Sequence, residues 1–311
     1  MRRITRASVL IVALVFLLTS CGFGKIRLGT ADAGGRYYTF GAEYALCVLE
    51  KPGKEMEVKE TAGSAANLRL LSEGYLDLGI AQSDLVSDAL AGTGAYDGKA
   101  LKGISAIAGL YAESCQIIVR ADSGISDIDD LIGRTVSIGE KESGTEYTAS
   151  RILQAYGLAA GKAALKNCDY AEAAAALESG KIDAAFCIAG SAVESFAALA
   201  ERVPLRLLPV DGREASTLLR SFSCFEKTLI PEGLYKGQSE EVESLSVRAI
   251  LLASDKLDTA TVKGLTEAVF TNAGRLGLDL SRDLDLRFHP GAEAYFEEAG
   301  LLPADREGGQ K

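Results

Sequence analysis

Apolar residues along this chain gather in short runs, separated by longer stretches where they recur every three or four positions. Residues 26–29 form one such run and precede a helical pattern over about 37–49. Residues 56–61 precede a second pattern over 64–73, and 75–81 precede a third over 84–91. The order then repeats, with 134–139 leading into 145–156, 164–170 into 171–179, and 182–190 into 191–201. Short strands alternating with helices of this length predict parallel βαβ units covered on both faces.

The two halves also match in detail. Leu71 to Asp77 and Leu177 to Asp183 both read L-x-x-G-x-x-D, each between a helix and an apolar run. Gly29 and Gly139 end the first strand of each half, 110 residues apart, while Gly74 and Gly180 are 106 apart. Gly74 and Gly180 stand where a helix needs a left-handed C-terminal residue. Two similar lobes facing each other are therefore expected. Residues 114–122 and 246–254 are similar apolar runs flanking the second half, and they are expected to pair as antiparallel strands. Lobe one would comprise 25–112 plus 256–311, and lobe two 113–255. Two crossings make a hinge, which lets a cleft close over a ligand.

The start of the chain does not fit this alternation. Arg2, Arg3 and Arg6 precede an almost purely apolar run at 9–18, too short for a permanent span of about 20 residues. Residues 1–20 read as a secretory signal, and Leu18-Thr19-Ser20-Cys21 resembles the bacterial lipobox. The expectation is cleavage before Cys21 and lipidation of its thiol, which gives an extracytoplasmic protein anchored to a membrane. The alternative is an ordinary signal peptide with a chance cysteine.

Charge and composition narrow the function. With the signal removed, 30 basic residues face 43 acidic ones, and no basic stripe is present to attract nucleic acid or an anionic membrane. Five cysteines follow Cys21, at 47, 115, 168, 187 and 224, without a CxxC and mostly in apolar stretches. They read as buried thiols, with one disulfide left open. His289 is the only histidine. A histidine-based metal site or a Ser-His-Asp triad would have to run through it alone, so no enzyme, metal or cofactor is expected.

Candidate chemistry lies in the loops after the strands. In open parallel sheets ligands bind beyond the carboxyl ends of strands, where helices begin. Gly29 to Tyr38, Thr61 to Asn67, Ala81 to Asp84 and Glu140 to Glu146 are four such loops, rich in Gly, Ser and Thr. Each helix start leaves N–H groups unpaired and carries partial positive charge. Several converging on one cleft can hold a carboxylate without a lysine. Ser64, Asn67, Gln82, Ser83 and Thr145 would add side-chain bonds. Taken singly, Ser64 and Ser83 also read as N-caps, and Ser143 with Glu146 as a capping box. Arg36 could clamp a carboxylate or lie exposed on the first helical turn. The first loop lacks G-x-G-x-x-G, so a dinucleotide site is a poor match.

These stretches resemble the TAXI-type substrate-binding proteins of tripartite ATP-independent (TRAP) transporters. The carrying segments are GTADAGGRYYTFG, TAGSAANLRLLSEGYLDLGIAQSD, DSGISDIDDLIGRTVSIGEKESGTE and FHPGAEAYFEEAG. The resemblance implies a type II periplasmic-binding fold, with two α/β lobes on a two-segment hinge. It also implies delivery of a small carboxylate or amino acid, such as glutamate or 2-oxoglutarate, to TRAP membrane subunits. Carried over by position, the family's motifs fall on Thr30, Gly34, Gly35, Tyr37, Ser64, Asn67, Gln82, Ser83, Asp84, Ser143, Gly144 and Thr145. Arg36 and Asp32 depart from the family pattern inside the binding loop, which puts ligand identity in doubt. His289-Pro290-Gly291-Ala292 reads as packing a tail segment onto a lobe. The competing readings are the receptor of an ABC importer and a sensing lipoprotein for a membrane kinase.

Overall fold

The computed structural model describes residues 24–158 and 161–301. The run at 9–18 and the proposed lipidation site Cys21 lie outside the described residues. In chain order the elements begin with β1 (Ile26–Gly29), α1 (Arg36–Glu50), β2 (Met56–Lys59), α2 (Ser64–Glu73), β3 (Leu78–Gln82) and α3 (Ser83–Ala91). The long strand β4 (Ile104–Arg120) leads to β5 (Thr135–Ser137), α4 (Gly144–Ala155), β6 (Ala164–Lys166), α5 (Tyr170–Glu178), β7 (Ala184–Ala189) and α6 (Glu194–Ala200). Then come β8 (Leu205–Leu208), α7 (Gly212–Ser221), β9 (Glu226–Ile230), β10 (Val242–Ser254), α8 (Thr259–Thr271) and α9 (Pro290–Glu298).

Strand order is β2-β1-β3-β10-β4-β7-β5-β6, with β8 on β4 and β9 on β10. Each lobe holds three parallel strands, β2-β1-β3 and β6-β5-β7. Each then receives one of the two long strands antiparallel, β10 on β3 and β4 on β7. At about 3.3 Å per residue, the 17 residues of β4 span roughly 55 Å, enough to run through both lobes.

The repeated L-x-x-G-x-x-D does the same job twice. Asp77 accepts from the backbone N–H of Arg27 on β1 (2.9 Å), and Asp183 from that of Thr135 on β5 (2.8 Å). The N–H groups of Asp77 and Asp183 return bonds to the carbonyls of Arg27 and Thr135. Gly74 ends α2 in the left-handed conformation, φ 82°. In each lobe the motif stops a helix and ties the next strand to the first.

The cores divide cleanly. Leu28, Tyr44, Ile80, Ile107 and Leu251 pack in lobe one, and Ile117, Val136, Ile152, Phe186 and Val247 in lobe two. Packing passes from one core to the other between Tyr111 and Cys115 on β4, and between Val247 and Ala249 on β10. The second crossing falls several residues before 255, where the sequence reading closed lobe two, because 249–253 pair with β3 of lobe one.

Three other expectations shift. Residues 114–122 and 246–254 do run antiparallel, but most of 246–254 pairs with 104–113, and 114–120 turns to β7 and β8. The strand expected over 164–170 stops at Lys166, since Asn167 bonds the Gly139 carbonyl and Asp169 caps α5 through the Glu172 N–H. Ser64 and Ser83 sit at first helical positions and cap nothing; Gly63 and Gln82 occupy the cap positions.

Candidate interlobe binding site

A cavity of about 330 Å³ opens between the lobes, lined from both sides. Lobe one presents the starts of α1 and α2, and lobe two the starts of α4, α5 and α6. Of the residues singled out in the sequence, Gly34, Gly35, Arg36, Tyr37, Ser64, Gln82, Ser143, Gly144 and Thr145 line it together.

Four others do not line it. Asn67 is fully buried, donating to the carbonyls of Thr30 (2.6 Å) and Ile80 (2.8 Å) while its Oδ1 accepts from Thr61. Thr30 donates to the Lys59 carbonyl. Both spend their polar atoms joining β1, β2 and β3 beneath the cleft. Ser83 faces the opposite side, donating to the Cys224 carbonyl and accepting from the Arg248 N–H. Asp84 is buried against Thr148 of lobe two (2.8 Å). Burial pushes its carboxyl up to about 6, against the Thr148 hydrogen bond and the nearby Arg151.

The lobes are shut against each other. The Ala65 and Ala66 N–H groups donate to the Glu142 carbonyl at 3.1 and 3.2 Å, and Arg69 grips the Glu142 carboxylate with two nitrogens. Asp88 of α3 meets Tyr147 and Arg151 of α4. Glu142 has φ 65°, positive and not glycine, which costs of order 1 kcal/mol or more and persists only when surroundings impose it. Here the strain sits where its carbonyl crosses to the other lobe. Its own N–H is taken by Glu146 (2.7 Å), so the expected capping box closes one residue early, with Ser143 accepting from the Glu146 N–H.

Glycine is required at two contacts. Gly63 has φ 113° beside Ser143, a conformation hostile to other residues. At Gly144 a Cβ would meet Gln82 Oε1 at 2.3 Å and Ser64 Oγ at 2.6 Å.

Sequence reasoning missed Glu113 and Tyr170. Glu113 lies on β4, 3% exposed, and lines the cavity. The Tyr37 hydroxyl donates to it at 2.8 Å. Burial pushes its carboxyl up to about 8, while bonds from Tyr37 and Gln82 oppose the shift. A signal was present: Glu113 is the one acid in the apolar run 104–120. Tyr170 starts α5 and shares a 2.7 Å hydrogen bond with Thr145. His289 does not line the cavity; it accepts from the Gly291 N–H as the N-cap of α9.

Two α/β lobes, two crossing strands and a closed cleft at the strand ends define the type II periplasmic-binding-protein fold. Residues 28–300 match the model of the NMT1-like family, and the chain belongs to that family. Among solved structures it is similar to the arginine-, lysine-, histidine-binding protein ArtJ from Geobacillus stearothermophilus, at 15% identity over 91% of this chain and 98% of that one, TM-score 0.52. It is also similar to the GluR0 ligand-binding core in complex with L-glutamate, at 12% identity over 82% and 97%, TM-score 0.52. Full-length BenM E226K shares 13% identity over 90% of this chain and 78% of that one, TM-score 0.54. At these identities the likeness is one of fold.

Proposed function

We propose that this protein is an extracytoplasmic solute-binding lipoprotein that captures a small carboxylate or amino acid between its lobes. The captured solute would pass to the membrane subunits of a TRAP transporter. The observation that carries the reading is the interlobe cavity with helix starts converging on it. Its volume suits a small metabolite. ArtJ is named for arginine, lysine and histidine, and GluR0 was crystallised with L-glutamate, which supports an amino-acid-sized ligand. The TRAP partner is supported by the sequence motifs that resemble TAXI-type proteins. A binding role rather than catalysis is supported by His289, the only histidine, being engaged as a helix cap outside the cavity.

Capture by two hinged lobes requires a more open free state. Small-angle scattering should show a smaller radius of gyration once a saturating small carboxylate or amino acid is added. An unchanged radius across a panel of such compounds, with no heat of binding, would sink the proposal.

The anchor is tested separately. Cys21→Ala should move the protein from the membrane fraction to the soluble one in its native cell. Wild-type protein that is already soluble and carries no lipid by mass spectrometry rules the anchor out.

A further inference from the structure

The solute-capture reading leaves the charge of the solute undetermined, and the cavity wall bears on it. Five carboxyl groups line the cavity: Glu113 deep inside, with Asp32, Glu140, Asp169 and Glu194 nearer the surface. Among the described residues Arg36 is the one basic residue lining it, and its guanidinium is only partly engaged, the Nε being buried without a hydrogen-bond partner. Its Nη2 donates to the Gly277 carbonyl at 2.7 Å, and its Cζ stands 4.4 Å from the centroid of the Tyr111 ring.

Glu113 is thus a buried carboxyl facing a ligand cavity with no ion pair among the described residues. A dicarboxylate entering this cavity would add like charge to it. A buried carboxylate is costly unless a cation and hydrogen bonds reach it. An ammonium group supplies three donors and a full charge in one small head.

We propose that the captured solute carries a primary ammonium group seated on the Glu113 carboxylate, as in an amino acid or an alkylamine. The inference rests on the solute-capture reading. If the solute is an amino acid, its own carboxylate falls to the unpaired N–H groups at the starts of α1 and α4, which line the same cavity. A 2-oxo acid of the same skeleton brings no cation to Glu113 and can only accept a hydrogen bond from its protonated form, so it binds more weakly.

Linkage gives the pH dependence. The groups facing Glu113 are Tyr37, Arg36, Tyr111, Gln82 and Asp84 on lobe-one elements and β4, with Tyr170 and Cys187 across the cleft. Of these, Asp84 titrates near 6, while burial lifts Tyr37, Tyr111 and Tyr170 well out of the working range. Glu113, held near 8 when the cavity is empty, releases its proton as an ammonium binds. Affinity for such a solute therefore rises with pH up to about 8 and levels above it. An anionic solute that needs Glu113 protonated would instead bind evenly below about 8 and lose affinity above it.

The test is calorimetry on the purified protein with matched pairs: L-glutamate and 2-oxoglutarate, L-alanine and pyruvate, L-leucine and 4-methyl-2-oxopentanoate. L-arginine, L-lysine and putrescine complete the panel. The expected result is that at least one ammonium-bearing compound binds. Its ammonium-free partner, where the panel holds one, should bind at least 100-fold more weakly. Glu113→Gln should weaken the binder at least 30-fold. Because the paired comparison uses the wild-type chain, it stands even if the variant folds poorly. A 2-oxo acid that binds as tightly as its amino acid, with compaction, overturns the ammonium proposal and leaves solute capture intact. So does a folded Glu113→Gln protein of unchanged affinity. If no compound binds or compacts the protein, solute capture fails and this inference fails with it.

Discussion

Gly144→Leu should leave both lobes folded and lower the affinity for the captured solute by at least 100-fold. The α4 start meets lobe one so closely that even a Cβ at position 144 would overlap Gln82 Oε1 and Ser64 Oγ. Neither group can yield freely: Gln82 Oε1 accepts from Thr148 of lobe two (3.1 Å), and Ser64 Oγ accepts from the Gln82 N–H (3.1 Å). Leucine adds three more carbons beyond Cβ, so the lobes must stay apart. A hundredfold loss corresponds to about 2.7 kcal/mol. The unliganded protein should melt no earlier than wild type, since leucine is a better helix former than glycine by up to about 1 kcal/mol. Scattering should give the open radius with and without solute. Wild-type affinity and compaction in this variant would mean that the lobes do not meet at α4 when solute binds.

Glu113→Gln should stabilise the unliganded protein at pH 8 and change little below pH 4.5. Burial holds this carboxyl near 8 against an ordinary 4.5, so the folded state keeps a proton that the unfolded chain gives up. The penalty is absent where both forms are protonated. It grows as pH rises from 4.5 to 8 and stays constant above that. Tyr37 and Gln82, which bond this carboxyl, belong to lobe one, and opening the cleft does not separate them from β4. The full shift sets an upper bound of about 5 kcal/mol. Glutamine keeps one acceptor for Tyr37, and a gain of roughly 3 kcal/mol, or about 6–12 °C in Tm, is expected at pH 8. Melting curves from pH 4 to 9 check it. A variant less stable at pH 8, or a gain that ignores pH, would contradict this account. Together with the loss of affinity expected above, the result would describe an acid kept at a cost in stability for what it binds.

Several parts of this picture were legible in the residues alone. Hydrophobic periodicity located the βαβ units, because burial on one helical stripe or in a parallel strand constrains every position of a short segment. The duplicated L-x-x-G-x-x-D was readable because its job is local. Gly74 must turn left-handed, and Asp77 and Asp183 must reach one neighbouring strand. The loops after the strands were recognisable as the rim of a cleft for a related reason: helix starts leave N–H groups free whatever the rest of the chain does.

What only the tertiary structure decided was the direction and partner of each polar side chain. Asn67, Ser83 and Asp84 look like ligand groups in sequence, yet Asn67 ties strands together, Ser83 faces the far side and Asp84 meets Thr148 across the interface. Successive residues at a strand-to-helix turn point in different directions, and a one-residue change in where the helix starts redirects them. Glu113 stands out as the one acid of its strand, but nothing local tells which of the strand's residues faces a gap between lobes. That gap is made by β4 and β10 crossing together where Ser114 pairs with Ser246, 132 residues away in the chain. Local pattern is set by short-range backbone geometry and burial. The charge of a cavity is set by which distant side chains the crossing strands leave unpaired.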